Sequence, residues 1–150
     1  MSTFEREAKQ MLQKVKSAVA DAMNTTLLDG MHEAIKQSVQ TNVYGRYQPK
    51  AYARRDENGI MSEAYNELTK EATAGDLSIV ITNTAPGNSD FPPYDGAGVP
   101  ADAVEKGGPW NFPLDPNPGP RPFLEPAKEM YVGSGQAEQH IANTVNILLK

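Results

Sequence analysis

A concentration of proline in one stretch restricts the fold of this chain more than any other feature. Eleven of the 12 prolines lie between Pro86 and Pro126, together with half of the 12 glycines. Proline lacks a backbone N–H and fixes φ, so helix is excluded over most of this stretch, and a central strand is excluded too. The stretch also holds five aromatic residues: Phe91, Tyr94, Trp110, Phe112 and Phe123. Because disordered segments are usually poor in aromatic residues, we predict an extended Pro/Gly-rich arm over residues 85–122 that becomes ordered against a neighbouring molecule.

Length and composition narrow the possible domain organisation, chemistry and location of the protein. The 150 residues predict a single domain over residues 1–150. The absence of cysteine excludes disulfides, zinc–thiolate sites and a cysteine nucleophile. A net charge of −5 disfavours sequence-specific recognition of nucleic acid, which needs a positive surface. No signal peptide or membrane span is apparent, so we expect a soluble protein made in the cytoplasm without membrane contact.

The N-terminal part has the periodicity of an amphipathic helix. Apolar residues recur at spacings of three and four along residues 3–28 and again along 31–42, which predicts a helical region over residues 3–43. Ser2 or the next residue is expected to cap its start, and Asp29-Gly30 is expected to break or kink it.

The rest of the chain predicts a small sheet and further helices. Residues 77–82 are rich in β-branched side chains and form the clearest strand, within a sheet region over residues 44–84. Pro126 suits the first turn of C-terminal helices over residues 126–149, and Ser134 is expected to cap the last of them. The predicted fold class is therefore α+β. In it, a long N-terminal helix and a C-terminal helix pack against a small, mostly antiparallel sheet.

The stretch from Tyr44 to Arg55 combines aromatic and cationic residues. Its main members are Tyr44, Tyr47, Tyr52, Arg54 and Arg55. Pro49 prevents a continuing helix, so we predict an extended segment. Three interpretations fit this composition: a half-buried strand with solvated arginines, a subunit interface, and a contact with DNA phosphates.

Patterns typical of enzymes are missing from the sequence. It contains no HExxH, GxSxG or P-loop motif. His32 and His140 lie on predicted helices, and we interpret both as packing or surface residues. Three acids in the proline-rich stretch, Asp90, Asp95 and Asp102, match no EF-hand spacing and are interpreted as solvated. We therefore predict no enzymatic activity, no catalytic residue, no metal site and no cofactor.

Four motifs follow one another in a fixed order along the chain. They are Tyr44-x-x-Tyr47-x-Pro49-x-x-Tyr52-x-Arg54-Arg55-x-x-x-Gly59-Ile60, then Asn83-Thr84-Ala85-Pro86, then Val104-Glu105-Lys106-Gly107, and finally Arg121-Pro122-Phe123-Leu124-x-Pro126-Ala127. Together they resemble a family of neck and tail-completion proteins of long-tailed double-stranded DNA phages, often labelled minor tail proteins. The resemblance covers roughly residues 31–132. The long N-terminal helix and the lengthened proline-rich stretch depart from the family pattern.

The resemblance implies a structural role in the virion. Proteins of that family form a ring, commonly sixfold, in the neck between head and tail. The ring joins the DNA-filled head to the tail and lines the DNA passage. The implied partners are further copies of the chain, head-closure or adaptor proteins, and a tail terminator or tail-tube protein. Genomic DNA would pass through without sequence-specific contact.

The residues expected to contact other subunits or partners are Tyr44, Tyr47, Tyr52, Arg54, Arg55, Pro86, Phe91, Tyr94, Trp110, Phe112, Arg121, Phe123 and Leu124. The last three could instead form the start of a helix packed on the core, with Phe123 and Leu124 buried. An alternative function is a small binding or regulatory module. In that case the polyproline-like residues 115–120 of the arm would dock into an aromatic groove of a partner protein.

Overall fold

A nearly continuous helical rod forms the N-terminal part of the chain. The computed structural model describes residues 2–46, 59–85, 100–107 and 119–150. Helix α1 spans Thr3–Ala22 and helix α2 spans Leu28–Ser38. Each is followed by five residues of π-helix, Met23–Leu27 and Val39–Val43, and a 3₁₀ turn at Tyr44–Arg46 ends the rod.

The predicted cap at Ser2 is confirmed. Its hydroxyl accepts a hydrogen bond from the Glu5 backbone N–H at 3.2 Å, and the Glu5 carboxylate accepts one from the Ser2 N–H at 2.6 Å. This reciprocal pair is a capping box, which satisfies two backbone donors at the helix start.

The predicted break at Asp29-Gly30 is wrong, because both residues lie inside α2. The helix changes its winding earlier, over Met23–Leu27. There the Thr25 hydroxyl donates to the Asp21 carbonyl oxygen at 2.7 Å, and side-chain bonds of this kind compete with the regular helical ladder. The Asn24 amide bonds both backbone groups of Ala72, at 2.7 and 3.0 Å, and so ties the rod to the chain between the strands.

Two strands make the sheet found among the described residues. Strand β1 spans Asn66–Lys70 and strand β2 spans Val80–Asn83. They pair antiparallel, with Asn66 opposite Asn83 and an irregularity between Leu68 and Lys70. The predicted strand over 77–82 therefore begins three residues too early. The predicted extended segment is also wrong at Tyr44–Arg46, where the backbone is still helical.

Among the described residues, three helices follow the sheet. They are α3 over Pro100–Lys106, α4 over Leu124–Lys128 and α5 over Gln136–Leu148. A π-helical stretch, Glu129–Gly133, continues α4. The predicted Ser134 cap of α5 is wrong, because Gly135 occupies that position with φ of 80° and the Ser134 hydroxyl donates back to the Met130 carbonyl at 2.6 Å.

A buried cluster of described residues lies between the rod, α4 and the sheet. Its largest fully buried apolar side chains are Phe123, Ile35 and Val39, and it extends to Ala85 and Ala101. A long N-terminal helix, a C-terminal helix and a small antiparallel sheet are all present, so the α+β class is confirmed. No helix in the described part of the chain is long and apolar enough to cross a membrane.

Candidate functional site

Three stretches of chain lie outside the described residues: 47–58, 86–99 and 108–118. Described residues on either side of these stretches belong to one buried cluster. Tyr44, Ile60, Ala85, Ala101 and Phe123 stand close to their ends in sequence and all belong to that cluster. We call these five residues the loop base. The described residues near the ends of each stretch therefore belong to the same core cluster.

Asn83 joins two ends of the loop base through one buried amide. Its Nδ2 donates to the Ile60 carbonyl oxygen at 2.8 Å and to Asn66 Oδ1 at 2.9 Å, while its Oδ1 accepts from the Ala85 N–H at 3.2 Å. A side-chain amide suits this position because it offers two donors and an acceptor without charge. The Gly59-Ile60 end of the first motif and the Asn83-Thr84-Ala85 motif are thereby brought together.

Glu105 joins the third motif to the fourth. Its Oε1 accepts hydrogen bonds from the backbone N–H groups of Phe123, at 2.8 Å, and Leu124, at 2.5 Å. These donors open α4, so the carboxylate caps that helix from another element and its charge complements the helix dipole. The Arg121 N–H adds a bond to the Val104 carbonyl oxygen at 2.8 Å.

Gly107, after α3, lies close to the backbone of Gly119 and Pro120. Its φ is +68°, and a Cβ at this position would lie 2.6 Å from the backbone nitrogen of Pro120. Only glycine fits without strain. The described residues on either side of 108–118 therefore lie against each other.

These contacts correct the predicted extended arm. Residues 100–106 are helical, Ala101 is buried in the core, and residues 119–122 lead into α4 beside α3. A single limb over residues 85–122 does not exist, because its middle is attached to its own subunit. The proline-rich region is instead divided between two shorter segments, 86–99 and 108–118.

The structure places the predicted contact residues in different environments. Phe123 is fully buried and Tyr44 is buried, so both belong to this subunit's own core rather than to its surface. Arg121 and Leu124 are half-buried at the edge of the loop base, in agreement with the start of a packed helix. The remaining nine lie outside the described residues: Tyr47, Tyr52, Arg54, Arg55, Pro86, Phe91, Tyr94, Trp110 and Phe112.

One ion pair supports the sheet side of the loop base. Lys36 Nζ lies 2.8 Å from Glu63 Oε1 and links α2 to the 3₁₀ turn at Glu63–Tyr65. The hydrogen bond from Lys36, and next its positive charge, lower the pKa of Glu63. Glu63 is exposed and Lys36 is half-buried, so water screens the pair and its contribution to stability is small.

A separate cleft lies where α2 meets the C-terminal helices. It has a volume of about 360 Å³, and its lining includes Gly30, Glu33, Tyr131 and His140. The Tyr131 hydroxyl lies 2.8 Å from His140 Nδ1 and 3.4 Å from the Thr26 carbonyl oxygen. Burial, and secondly the charge of Asp29, raise the pKa of Tyr131, so the phenol stays protonated and serves as a hydrogen-bonding group of the core.

Sequence reasoning missed the Tyr131–His140 pair, because the two residues are separated by a helix interruption that the pattern does not bridge. His32 is buried on α2, and its Nε2 has no hydrogen-bond partner among the described residues. Within the same residues, no three His, Asp or Glu side chains are grouped so that they could hold a metal ion.

The fold and the loop base define the class: an α+β protein in which a helical core and a two-stranded sheet hold the ends of three segments rich in aromatic residues. The model of the YomN family matches residues 7–146, and the chain belongs to that family. YomN is a phage-derived family of Bacillus prophage proteins, so the phage origin implied by the four motifs is confirmed. No curated protein and no solved structure matches the chain significantly.

Proposed function

We propose that the protein is a structural, non-catalytic component of the phage virion neck. Copies of the chain form a ring, commonly sixfold in such assemblies, which joins the DNA-filled head to the tail and lines the DNA passage. Its neighbours are head-closure or adaptor proteins on one side and a tail terminator or tail-tube protein on the other. Membership of a phage-derived family supports this assignment.

The observation that carries the proposal is the common base of the three segments. Each segment contributes two aromatic residues, in the order Tyr47, Tyr52, Phe91, Tyr94, Trp110 and Phe112. Aromatic side chains are enriched among the residues that dominate protein–protein binding. These six residues lie in the sequence between described residues that share one core cluster, and we propose that they form the docking surface between subunits.

Rigid anchoring at the loop base favours such a surface energetically. Both ends of residues 108–118 are held by the contacts of Gly107 and Arg121, and Ala85 is held by Asn83. Proline residues further reduce the conformational freedom of these segments. Restraints of this kind reduce the conformational entropy that a segment loses when it binds a partner.

The charge of the chain fits a DNA conduit. A net charge of −5 gives little overall attraction for phosphate, so DNA can pass without being retained. Arg54 and Arg55 provide a local positive pair within the first segment, which suits recognition of a carboxylate on a neighbouring subunit.

Deletion and complementation in the phage or prophage that carries the gene test this proposal. We expect the deletion to give filled heads and separate tails, and plasmid-borne wild-type protein to restore joined particles. A Trp110→Ala/Phe112→Ala variant should fold but fail to complement, because it removes two contact side chains. Val132→Ala, which trims an exposed apolar residue of the π-helical stretch after α4, should complement fully.

The position of the protein in the particle provides a second test. Cryo-EM of complemented particles should show the protein as a ring between portal and tail tube. Infectious virions from the deletion strain, or purified virions that lack the protein, would overturn the proposal.

A further inference from the structure

Helix α1 carries one apolar stripe that is covered over only half of its length. The residues Phe4, Ala8, Met11, Val15, Ala18 and Ala22 alternate at spacings of four and three, the seam of a two-helix pair. Ala18 and Ala22 are buried, and Val15 is half-buried. Every described residue before Val15 is exposed, including Phe4 at 77% and Met11 at 70%.

Helix α5 covers the C-terminal half of the stripe and runs antiparallel to the rod. Thr144 on α5 hydrogen-bonds Thr26 at 3.0 Å, whereas Gln136 and His140, earlier on α5, line the cleft beside residues 30–37. Later residues of α5 therefore lie beside earlier residues of the rod. Because α5 ends at Leu148, it does not reach the first half of α1, and about three turns or ~18 Å of that helix remain uncovered.

We propose that a second copy of the chain covers this bare half, with the two α1 helices packed antiparallel about a twofold axis. In this register Phe4 of one copy faces Val15 of the other, and Ala8 faces Met11. Each large side chain then meets a smaller one, which fills the space between the helices evenly. A parallel pair in register would instead place Phe4 against Phe4 and Ala8 against Ala8.

The charges beside the stripe select the same orientation. Glu7 and Lys14 flank the apolar residues on one side, seven positions apart. In an antiparallel pair this edge of each helix faces the same edge of its partner, so Glu7 of each copy lies beside Lys14 of the other. The twofold axis produces two such ion pairs. A parallel pair would bring Glu7 beside Leu12, with no ionic partner.

The end of α5 sets the register. The second copy's α1 points in the same direction as α5 and starts where α5 stops, so its positive N-terminal end meets the negative C-terminal end of α5. A shift of one heptad towards α5 would collide with that helix. Exposed Ile147, Leu148 and Leu149 border this junction and enlarge the contact towards the roughly 1,200–2,000 Å² of a specific interface.

This pairing does not depend on the proposed neck function. A twofold contact cannot join neighbours that face the same way in a cyclic ring. It therefore joins subunits of two opposed rings, or pairs free subunits before a ring closes. Purified protein outside any virion is the right material for the test.

Analytical ultracentrifugation of the full chain over a concentration series tests the contact. We expect wild type to be a dimer and Met11→Glu to weaken association by roughly 100-fold, because it places a carboxylate in the centre of the seam. Gln13→Glu adds the same charge on the opposite face of the helix and should leave the dimer intact. Circular dichroism should show unchanged folding, because both positions are exposed.

Charge reversal tests the orientation. Glu7→Lys and Lys14→Glu should each weaken the homodimer by roughly tenfold, while a mixture of the two variants should form a heterodimer as stable as wild type. A monomeric wild type, or a dimer insensitive to Met11→Glu, would overturn the proposed contact. Charge variants that fail to form a heterodimer would overturn the antiparallel arrangement.

Discussion

Replacing Gly30 with alanine should destabilise the protein, although alanine is the better helix former. Gly30 lies inside α2, where the ring of Tyr131 crosses the helix backbone. A Cβ at position 30 would lie 2.2 Å from the Tyr131 hydroxyl oxygen and 2.3 Å from the carbon that bears it. Ordinary contacts begin near 3.4 Å, so the ring would have to move by more than 1 Å.

The expected magnitude follows from three terms. Overpacking in a filled core costs about 1–3 kcal/mol. Tyr131 is 2% exposed, and moving its hydroxyl from His140 leaves a buried polar group unpaired, which costs about 1–3 kcal/mol more. The helix propensity of alanine over glycine offsets about 1 kcal/mol. The net loss is about 3 kcal/mol, or a fall of roughly 10 °C in Tm for a chain of this size.

Urea unfolding and thermal melts of four proteins measure this effect: wild type, Gly30→Ala, Tyr131→Ala and the double variant. Removing the Tyr131 ring should reverse the sign of the Gly30→Ala effect, because only the gain of about 1 kcal/mol in helix propensity then remains. A Gly30→Ala protein as stable as wild type would refute the proposed close contact. So would equal destabilisation in both backgrounds.

Three further experiments test the cap of α4, the Asn83 hydrogen-bond network and the titration of Tyr131. Glu105→Ala should cost about 1–2 kcal/mol in urea unfolding, because it removes the cap of α4. Glu105→Gln keeps an acceptor oxygen and should cost less. Equal losses of stability would contradict the capping role. Asn83→Asp should cost about 2–3 kcal/mol at neutral pH, because it turns a carboxylate oxygen towards two acceptor oxygens. Asn66→Asp keeps the oxygen that accepts from Asn83 and disturbs only the longer bond to the Ser62 carbonyl oxygen, at 3.4 Å, so it should cost less. The reverse order would exclude this hydrogen-bond network. The pKa of Tyr131 in the folded protein is raised above its ordinary value of 10.0. The contribution of Tyr131 to folding stability is therefore complete below pH 10 and is lost as the pH rises further. Tyr131→Phe should reduce the alkaline loss of stability seen by thermal melts. An unchanged alkaline limb would show that Tyr131 does not titrate in this range.

Local signals in the sequence were sufficient to predict much of the fold. The Ser2 capping box, the helical periodicity on both sides of Met23–Leu27 and a strand ending at Asn83 all depend on residues close together in the chain. Gly30 shows the limit of such signals. A glycine that breaks a helix and a glycine that admits a buried ring have the same sequence pattern, and only the position of Tyr131 distinguishes them.

The proline-rich region shows a second limit. Proline at the first position of a helix is favourable, and Pro100 starts α3 in this way, followed by residues that tolerate or favour helix. The many prolines on both sides of α3 masked this helix start in the sequence pattern. The attachment of α3 to the core depends on Ala101 and Glu105, whose partners lie more than 15 residues away in sequence.

The motifs that resemble phage neck proteins have structural roles where the structure describes them. Asn83 ties the end of the first motif to the start of the second, and Glu105 ties the third motif to the fourth. These residues fix where the intervening segments begin and end, so their substitution should reduce stability. Contact specificity is then expected in the segments between the motifs, where Trp110 and Phe112 lie.

The two proposed contact surfaces use different parts of the molecule. The loop base belongs to the buried cluster, whereas the stripe around Met11 lies on the uncovered half of α1, beyond the end of α5. The buried half of α1, at Ala18–Ala22, separates them along the rod. A charge at position 11 should therefore weaken the dimer and leave the loop base folded, while loop substitutions should leave the dimer intact. If the phage needs both surfaces, variants of either kind would block joining of head and tail. The loop variants would still be dimers, whereas the position-11 variant would not.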